Sequence, residues 1–559
     1  LCVGNYVSFA QIWFRKAIKK IEYRLSTEKT SFLRRTGRFS IATIISRITG
    51  LLRETTLAAL FGAGSGMDAF VAAFRIPNLL RDLFAEGALS AAYVPTFTEK
   101  LKKEGKESAF EVTSAIFSIL LVVLGIIVIL GIILAPYYVK YYVSGFADDP
   151  AKMRLTVIMT QIMFPFLLLV AVAAAAMGTL NSLGRFGVPA VAPAAFNIIT
   201  IIMALFFSRY FDPPILVLGV GVVVGGIGQF GIQIPQLVRA GYRFRFRLAF
   251  RDEAVRRILK LLLPAALGVA AWQVNVVVGT IIASYLEPGS IASLYYALRL
   301  MHFPLGVFGV ALAAVSLPHL SSLVSGGDLK GASEAQRYSS RMVIFLLLPS
   351  AAYLIGAAEA IVALAYQRGQ FAWADTLGVA LALRAYAVGL VFFGLVRVTA
   401  QVFYAFKDTA TPVKISLAAV ATNIALSLLL MGPLSIAGLA LATSAAAIVN
   451  FSLLNYYSRK KAPAPDRHGL SSYSIKIALA ASLAGFGAYG VMRIFLGPGG
   501  FGGFSGSLAA VMVSFVVSAL IYFIVCRIWG IDELRQVLGL FSRSSKSVSD
   551  ETVDKAIEP

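Results

Sequence analysis

The chain has 559 residues, of which 58% are hydrophobic and only 14% charged, against about 25% charged in an ordinary soluble domain. With a mean hydropathy of +0.79, that balance excludes a soluble globular fold and indicates a polytopic membrane protein. The net charge of +22 would suit a nucleic-acid binder, but the basic residues sit in short loops between apolar spans, where they set membrane topology instead. Cys2 and Cys526 lie near opposite ends of the chain, so no disulfide framework, thiolate metal cluster or thiol pair is supported.

Residues 1–37 form a basic extension containing WFRKAIKKIEYRL. A membrane-surface helix and a segment foreign to the fold are both open readings, and no functional role is assigned to it. From Arg38 the chain resolves into about fourteen apolar spans of bilayer length. They cover 38–62, 68–97, 110–143, 152–181, 187–209, 214–239, 253–286, 290–324, 334–358, 376–405, 412–432, 435–458, 473–496 and 506–528.

Alternate loops are basic. One set carries Lys100 to Lys106, Arg185, Arg243 to Arg257, Lys330 with Arg337, Lys407 with Lys414, and Arg459 to Arg467. The intervening loops offer mainly Lys152, Arg154, Arg209 and Arg368. The positive-inside rule makes the first set cytoplasmic and puts both termini inside.

The chain also repeats itself. AAYVPTFTEKLKKEGKESAFE echoes AAVSLPHLSSLVSGGDLKGASEA, and NSLGRFGVPAVAPAAFN echoes AFKDTATPVKISLAAVATN. The marker prolines of both pairs, Pro95 with Pro318 and Pro189 with Pro412, are 223 residues apart (318 − 95 and 412 − 189). Two six-helix halves are expected; six being even, the copies share one orientation. The predicted fold is thus an all-α membrane protein with an N-lobe over 38–240 and a C-lobe over 241–460. Two further helices follow within 461–530, then a polar cytoplasmic tail over 531–559.

Charge is concentrated in ISRITGLLRETTLAALFGAGSGMDAFVAAFRIPNLLRDLFAEGALSAAYVP, residues 45–95, which holds Arg47, Arg53, Glu54, Asp68, Arg75, Arg81, Asp82 and Glu86. Each charge at a bilayer centre costs roughly 2.5–3.5 kcal/mol on insertion scales, so such residues usually face a cavity. On an ideal helix Asp68, Arg75, Asp82 and Glu86 fall within about 40° of one another. Arg81 points elsewhere unless Pro77 bends the helix. Arginine never deprotonates and matches phosphate oxygens with a planar fork. Arg47, Arg53 and Arg81 therefore suit a di-anionic or pyrophosphate headgroup, with Asp68 and Glu86 orienting them or relaying a cation. Glu54, Arg75 and Asp82 are read as coupling groups or braces. The second half adds Arg299 in SLYYALRLMHFPLGVFG, with His302 three residues on and approaching the same face; His302 is read as a packed residue more readily than as a proton carrier.

These residues carry a resemblance. TGLLRETTLAALFGAGSGMDAFVAAFRIPNLLRDLFAEGALSAAYVP, MGTLNSLGRFGVPAVAP, LYYALRLMHFPLGVFGVAL and FYAFKDTATPVK resemble the lipid II flippase family MurJ (MviN) of the MOP exporter superfamily, from about Arg38 to Arg527. The resemblance implies fourteen helices around a central V-shaped cavity, and a lipid-tail groove lined by the last two. It implies that undecaprenyl-pyrophosphate-linked disaccharide pentapeptide is moved from the cytoplasmic to the periplasmic leaflet of the bacterial inner membrane by alternating access. The family's essential arginines and aspartate fall on Arg47, Arg53, Asp68, Arg81 and Arg299, and its cavity glutamate on Glu86. The chain departs from the pattern at Glu54, where members often have Asp, and at Leu298 and His302, where acids are frequent. Some members bind sodium among carboxylates of the seventh and eleventh helices. Here those spans offer Gln273, Asn275, Asn423 and Ser427, which speaks against sodium and leaves membrane potential or protons as the drive. No cofactor or bound metal is expected, and the protein is read as a monomer.

The runner-up is a flippase for another polyprenyl-linked oligosaccharide, or a cation-coupled exporter of the same superfamily, although an arginine-rich cavity disfavours cationic drugs. A membrane enzyme acting on a polyprenyl phosphate would need clustered acids or an exposed nucleophile, and a scaffold would leave arginines in both halves unexplained.

Overall fold

The structure, a computed structural model, describes residues 42, 45–82, 88–462, 468–497 and 500–536. Glu86, the basic extension and most of the polar tail fall outside them. Among the described residues every regular element is helical, and ten helices are long and apolar enough to cross a membrane. Two of these ten are helix pairs. Ala88–Tyr142 is interrupted at Gly105, whose φ of 88° only glycine adopts freely. Ala410–Lys461 is interrupted at Ser435, with φ 47°, inside the MGPLS connector that separates two of the predicted spans. The helix 110–142 presents Ile126, Ile129, Leu130 and Ile133 outward, each at least half exposed, as a lipid-facing surface requires.

The repeat is written into the backbone as well as the sequence. Gly184 and Lys407 both have left-handed φ, 74° and 58°, and they too are 223 residues apart (407 − 184). After each, the next N–H reaches back five residues: Arg185 donates to the Leu180 carbonyl at 2.9 Å and Asp408 to that of Phe403 at 2.8 Å. This is the Schellman stop, which satisfies carbonyls left open at a helix end. Pro189 and Pro412 then open the following helices, where a missing N–H costs nothing.

Cα packing divides the chain into two compact units. One gathers the residues up to Thr56 with Pro77–Ile133 and Thr160–Ala266. Its core holds Tyr93, Phe97, Ile116, Leu180 and Val255, and the buried Tyr93 hydroxyl bonds Thr113 and Thr179, both at 2.7 Å. The other gathers Leu57–Ile76, Leu134–Met159 and the chain from Leu267 onward. In it, His468–Phe495 crosses Leu329–Gly356 so tightly that a Cβ at Gly356 would lie 2.3 Å from the Gly485 carbonyl oxygen, the close approach that small residues allow between membrane helices. The segment after the last span is tied down by Glu533, buried, whose Oε1 meets Arg341 Nε at 2.6 Å.

Lys407 occupies a conformation costing roughly 1–2 kcal/mol for a residue with a Cβ. Lys407→Gly is therefore expected to raise the thermal midpoint of the detergent-purified protein by a few degrees, and Gly184→Ala to lower it. Asp408, at the same turn, accepts from the backbone N–H and hydroxyl of Thr411 and pairs with Lys461. The Thr411 bonds foremost, then Lys461, pull its carboxyl down to about 2. A depressed pKa stabilises above the unfolded value and is lost as pH falls through the folded one. Asp408→Asn should thus lower the midpoint at pH 7, and the gap from the parent should close between pH 4 and pH 2.

Candidate functional site

Asp68 lies in the first turn of the Ser65–Arg81 helix, only 1% exposed. Its Oδ2 accepts from Lys152 Nζ at 2.8 Å and from the Gly289 N–H at 2.7 Å, while Oδ1 accepts from the Ala292 N–H at 2.8 Å. The carboxylate therefore caps the N-terminus of the Ser290–Pro304 helix from a segment more than two hundred residues away in sequence, where free N–H groups and the helix dipole both favour an anion. Lys152 completes the charge balance, and its ammonium sits 3.9 Å from the centroid of the Phe146 ring. The Lys152 N–H is itself held by Asp149. Every polar group of this buried node has a partner, the condition for keeping charge out of water.

Around the node, backbones meet with almost no room between them. A Cβ on Gly289 would lie 2.3 Å from the Ala63 carbonyl oxygen, one on Gly369 2.3 Å from that of Ala59, and one on Gly145 2.3 Å from that of Ser284. Gly289 and Gly369 also have φ of 93° and 56°, which a side chain strains. The Gln370 N–H donates to the Ala59 carbonyl at 2.8 Å, and Tyr296 donates to that of Gly62 at 3.3 Å. The Tyr296 ring packs on Tyr366 and Phe371. The ends of helices from both sequence repeats thus close on one another, at the face whose loops carry few basic residues.

The arginines of the opening hairpin are arranged differently. Arg53 pairs with its neighbour Glu54 at 2.5 Å and lies over the Phe196 ring at 5.4 Å. Glu54 is buried, and Arg53 Nε is buried without a hydrogen-bond partner among the described residues. Arg81 contacts Asp82 Oδ1 through both Nε, at 3.2 Å, and a terminal nitrogen, at 2.9 Å. Arg47 is exposed. Asn197 reaches back to the Ser46 carbonyl and the Thr49 hydroxyl, both at 3.3 Å, fixing the helix that carries Arg47 and Arg53 against Gly187–Ile202.

In the other unit, Arg299 is exposed and stacks on Tyr295, with 5.0 Å to the ring centroid and a 3.2 Å bond to its hydroxyl. His302, half-buried, lies within electrostatic range of both Arg299 and Arg397. Arg75 is in range of the Tyr142 and Tyr386 hydroxyls. Asp68 is thus paired with Lys152, and Arg81 contacts Asp82.

Three residues escaped the sequence reading. Lys152 counted only as a loop charge, although its place among the few basic residues of the other face was the available signal. Arg397 lies mid-span in Trp373–Ala405, a position whose charge should have drawn the same attention as Arg299. Asn197 offered no signal beyond being polar in an apolar run.

A family model described as "Lipid II flippase MurJ" matches residues 57–538. A probable lipid II flippase MurJ of Rhizobium meliloti (strain 1021) is 39% identical over 418 residues, covering 74% of this chain and 78% of the relative. The lipid II flippase MurJ of Burkholderia cenocepacia is 35% identical over 75% of this chain and 82% of its own length. Among solved structures, one described as lipid II flippase MurJ in an inward closed conformation superposes with a TM-score of 0.73 at 26% identity, covering 89% of this chain and 99% of its own. An inward-facing multidrug transporter of the MATE family, MOP superfamily, shares the fold at TM-score 0.61 and 15% identity, covering 77% of this chain and all of its own.

Removing one partner of a buried ion pair costs about 3–5 kcal/mol. Lys152→Met is expected to loosen the packing around this node, and Asp68→Ala to do so more strongly because two helix N–H groups also lose their acceptor. A cysteine at Ser293, buried in the parent, in a background lacking Cys2 and Cys526, should become more reactive to a maleimide in both variants. Unchanged protection in Asp68→Ala would contradict the assignment.

Proposed function

Because the chain belongs to the lipid II flippase family MurJ, we propose that it carries lipid II from the cytoplasmic to the periplasmic leaflet of the bacterial inner membrane by alternating access. The observation that supports an alternating mechanism is the Asp68 node, a fully partnered buried charge that latches one end of the helices. The basic loops argue that the latched end is periplasmic and that both termini are cytoplasmic. The state described is then one whose periplasmic exit is shut.

The fold reading extends to fourteen crossing segments. The break at Ser435 divides one candidate into two spans, the helix over 45–61 and Glu253–Ser284 add one each, and Ser65–Arg81 with the part of Ala88–Tyr142 before Gly105 counts as one more beside the ten candidates. The matching stops at Gly184 and Lys407 support two six-helix lobes over 38–240 and 241–460, with the last two helices as a lipid-tail groove.

The substrate's pyrophosphate suits Arg47, Arg53, Arg81 and Arg299, with Glu86 as a further cavity group and Glu54 and Asp82 holding two of the arginines ready. A phosphate carrying more charge than one carboxylate can compete for those forks. At the seventh and eleventh helices Asn423 donates to Asn275 at 2.7 Å; this neutral amide pair favours membrane potential or protons over sodium as the source of drive. The protein is proposed to act as a monomer.

Arg53→Ala, Arg81→Ala and Arg299→Ala should each abolish growth in a cell depleted of its own flippase, at unchanged protein level. Lipid II should accumulate in the inner leaflet on depletion. Normal growth of all three variants would overturn the arginine assignment, and accumulation of a different polyprenyl glycolipid would redirect the cargo.

A further inference from the structure

The segment joining the two repeats, GYRFRFRLAFRD over 241–252, lies outside any helix, alternates arginine with apolar residues, and turns the alternate N–H groups of Arg245 and Arg247 to one neighbouring helix, as an extended chain does. Successive side chains of an extended chain point to opposite sides, so Arg243, Arg245 and Arg247 share one side and Tyr242, Phe244, Phe246 and Leu248 the other. The segment is pinned: the Arg247 N–H donates to Ser118 Oγ at 2.9 Å and the Arg245 N–H lies 3.5 Å from Ser114 Oγ, two buried serines one turn apart on the same helix. Tyr242 is buried and takes a bond from Ser114, and its ring meets Phe110 and Phe117 edge-on. Phe244 also leans on Phe117, 6.5 Å between ring centroids, yet the apolar side stays largely open: Phe244 is 47% exposed, Phe246 64%, Leu248 44% and Phe250 47%. Of the arginines, Arg247 is bound to Glu111 and Arg257 to Glu99. Arg243, Arg245 and Arg251 are exposed and have no carboxylate within ion-pairing distance among the described residues.

We propose that this segment is a membrane-surface binding strip whose aromatic side sinks into the interface while Arg243, Arg245 and Arg251 bind anionic phospholipid headgroups. Four adjacent exposed apolar side chains would be a liability in water, whereas aromatic residues favour the headgroup level and each basic residue near an anionic surface gains about 1 kcal/mol. Ser114 and Ser118 lie at the start of a predicted span, which fixes the strip at interfacial depth. The charge rule assigns it to the cytoplasmic leaflet. An acidic partner strand pairing along the segment's outer edge would satisfy the arginines but leave Phe246 facing water, so the exposed rings favour the bilayer.

Two measurements on the full-length protein test this. In detergent, added phosphatidylglycerol should raise the thermal midpoint more than added phosphatidylcholine does. The triple variant Arg243→Gln, Arg245→Gln, Arg251→Gln should lose at least half of that extra shift while keeping the parent midpoint in phosphatidylcholine, and the corresponding triple lysine variant should retain most of it. An undiminished phosphatidylglycerol shift in the glutamine variant would overturn the headgroup assignment. In vesicles, a bimane on Phe246→Cys, in a background lacking Cys2 and Cys526, should be quenched by doxyl-labelled lipid and protected from iodide. Quenching by iodide but not by doxyl lipid would put Phe246 in water and overturn the membrane assignment.

Discussion

A carboxylate buried at the 1% level has to be neutralised and fully hydrogen-bonded, and Asp68 obtains both from two different parts of the chain. Lys152 supplies the charge and the Ser290–Pro304 helix supplies the N–H groups. Pulling charges out of water costs several kcal/mol per ion, and their attraction in a dry site roughly repays it. The pair is therefore close to neutral in the balance between closed and hydrated states. That is a useful property for a gate, since two conformations must differ by only a few kcal/mol to be exchanged by a substrate. A purely apolar seal of the same size would favour closure far more strongly.

The node can work only if the helices approach within backbone contact, and the glycines set that distance. Ala63, Ala59 and Ser284 offer carbonyl oxygens where Gly289, Gly369 and Gly145 have no Cβ. With the gap so small, the Ser290–Pro304 helix presents its N-terminus straight to Asp68, and no water-sized space separates donor from acceptor. The aromatic set of Tyr296, Tyr366 and Phe371 then shields the same region from solvent and raises the strength of each bond in it.

The helices, their apolar faces, the repeat and the hairpin's unusual charge density were all legible in the sequence, because each depends on local pattern: span length, proline spacing, ionisable residues where lipid excludes them. The matching stops at Gly184 and Lys407 even follow the offset read from the prolines. Asp68 was legible as important but not as a cap, since its partners lie far along the chain and a helix N-terminus leaves no mark on the residue that caps it. Arg53 with Glu54 and Arg81 with Asp82 were equally opaque. Adjacent residues on a helix point about 100° apart, so only the length and flexion of the arginine side chain bring them together.

Those two adjacent pairs bear on how a headgroup would be captured. One edge of the Arg81 fork lies against Asp82 Oδ1, through Nε and a terminal nitrogen. The carboxylate holds the guanidinium in one orientation. A pyrophosphate arriving at such a site meets a preformed donor array, so less ordering entropy is lost on binding than with a free side chain. Arg299 is held by a different device, stacking on Tyr295 and donating to its hydroxyl. Under the proposed function the two halves thus prepare their arginines by unlike means.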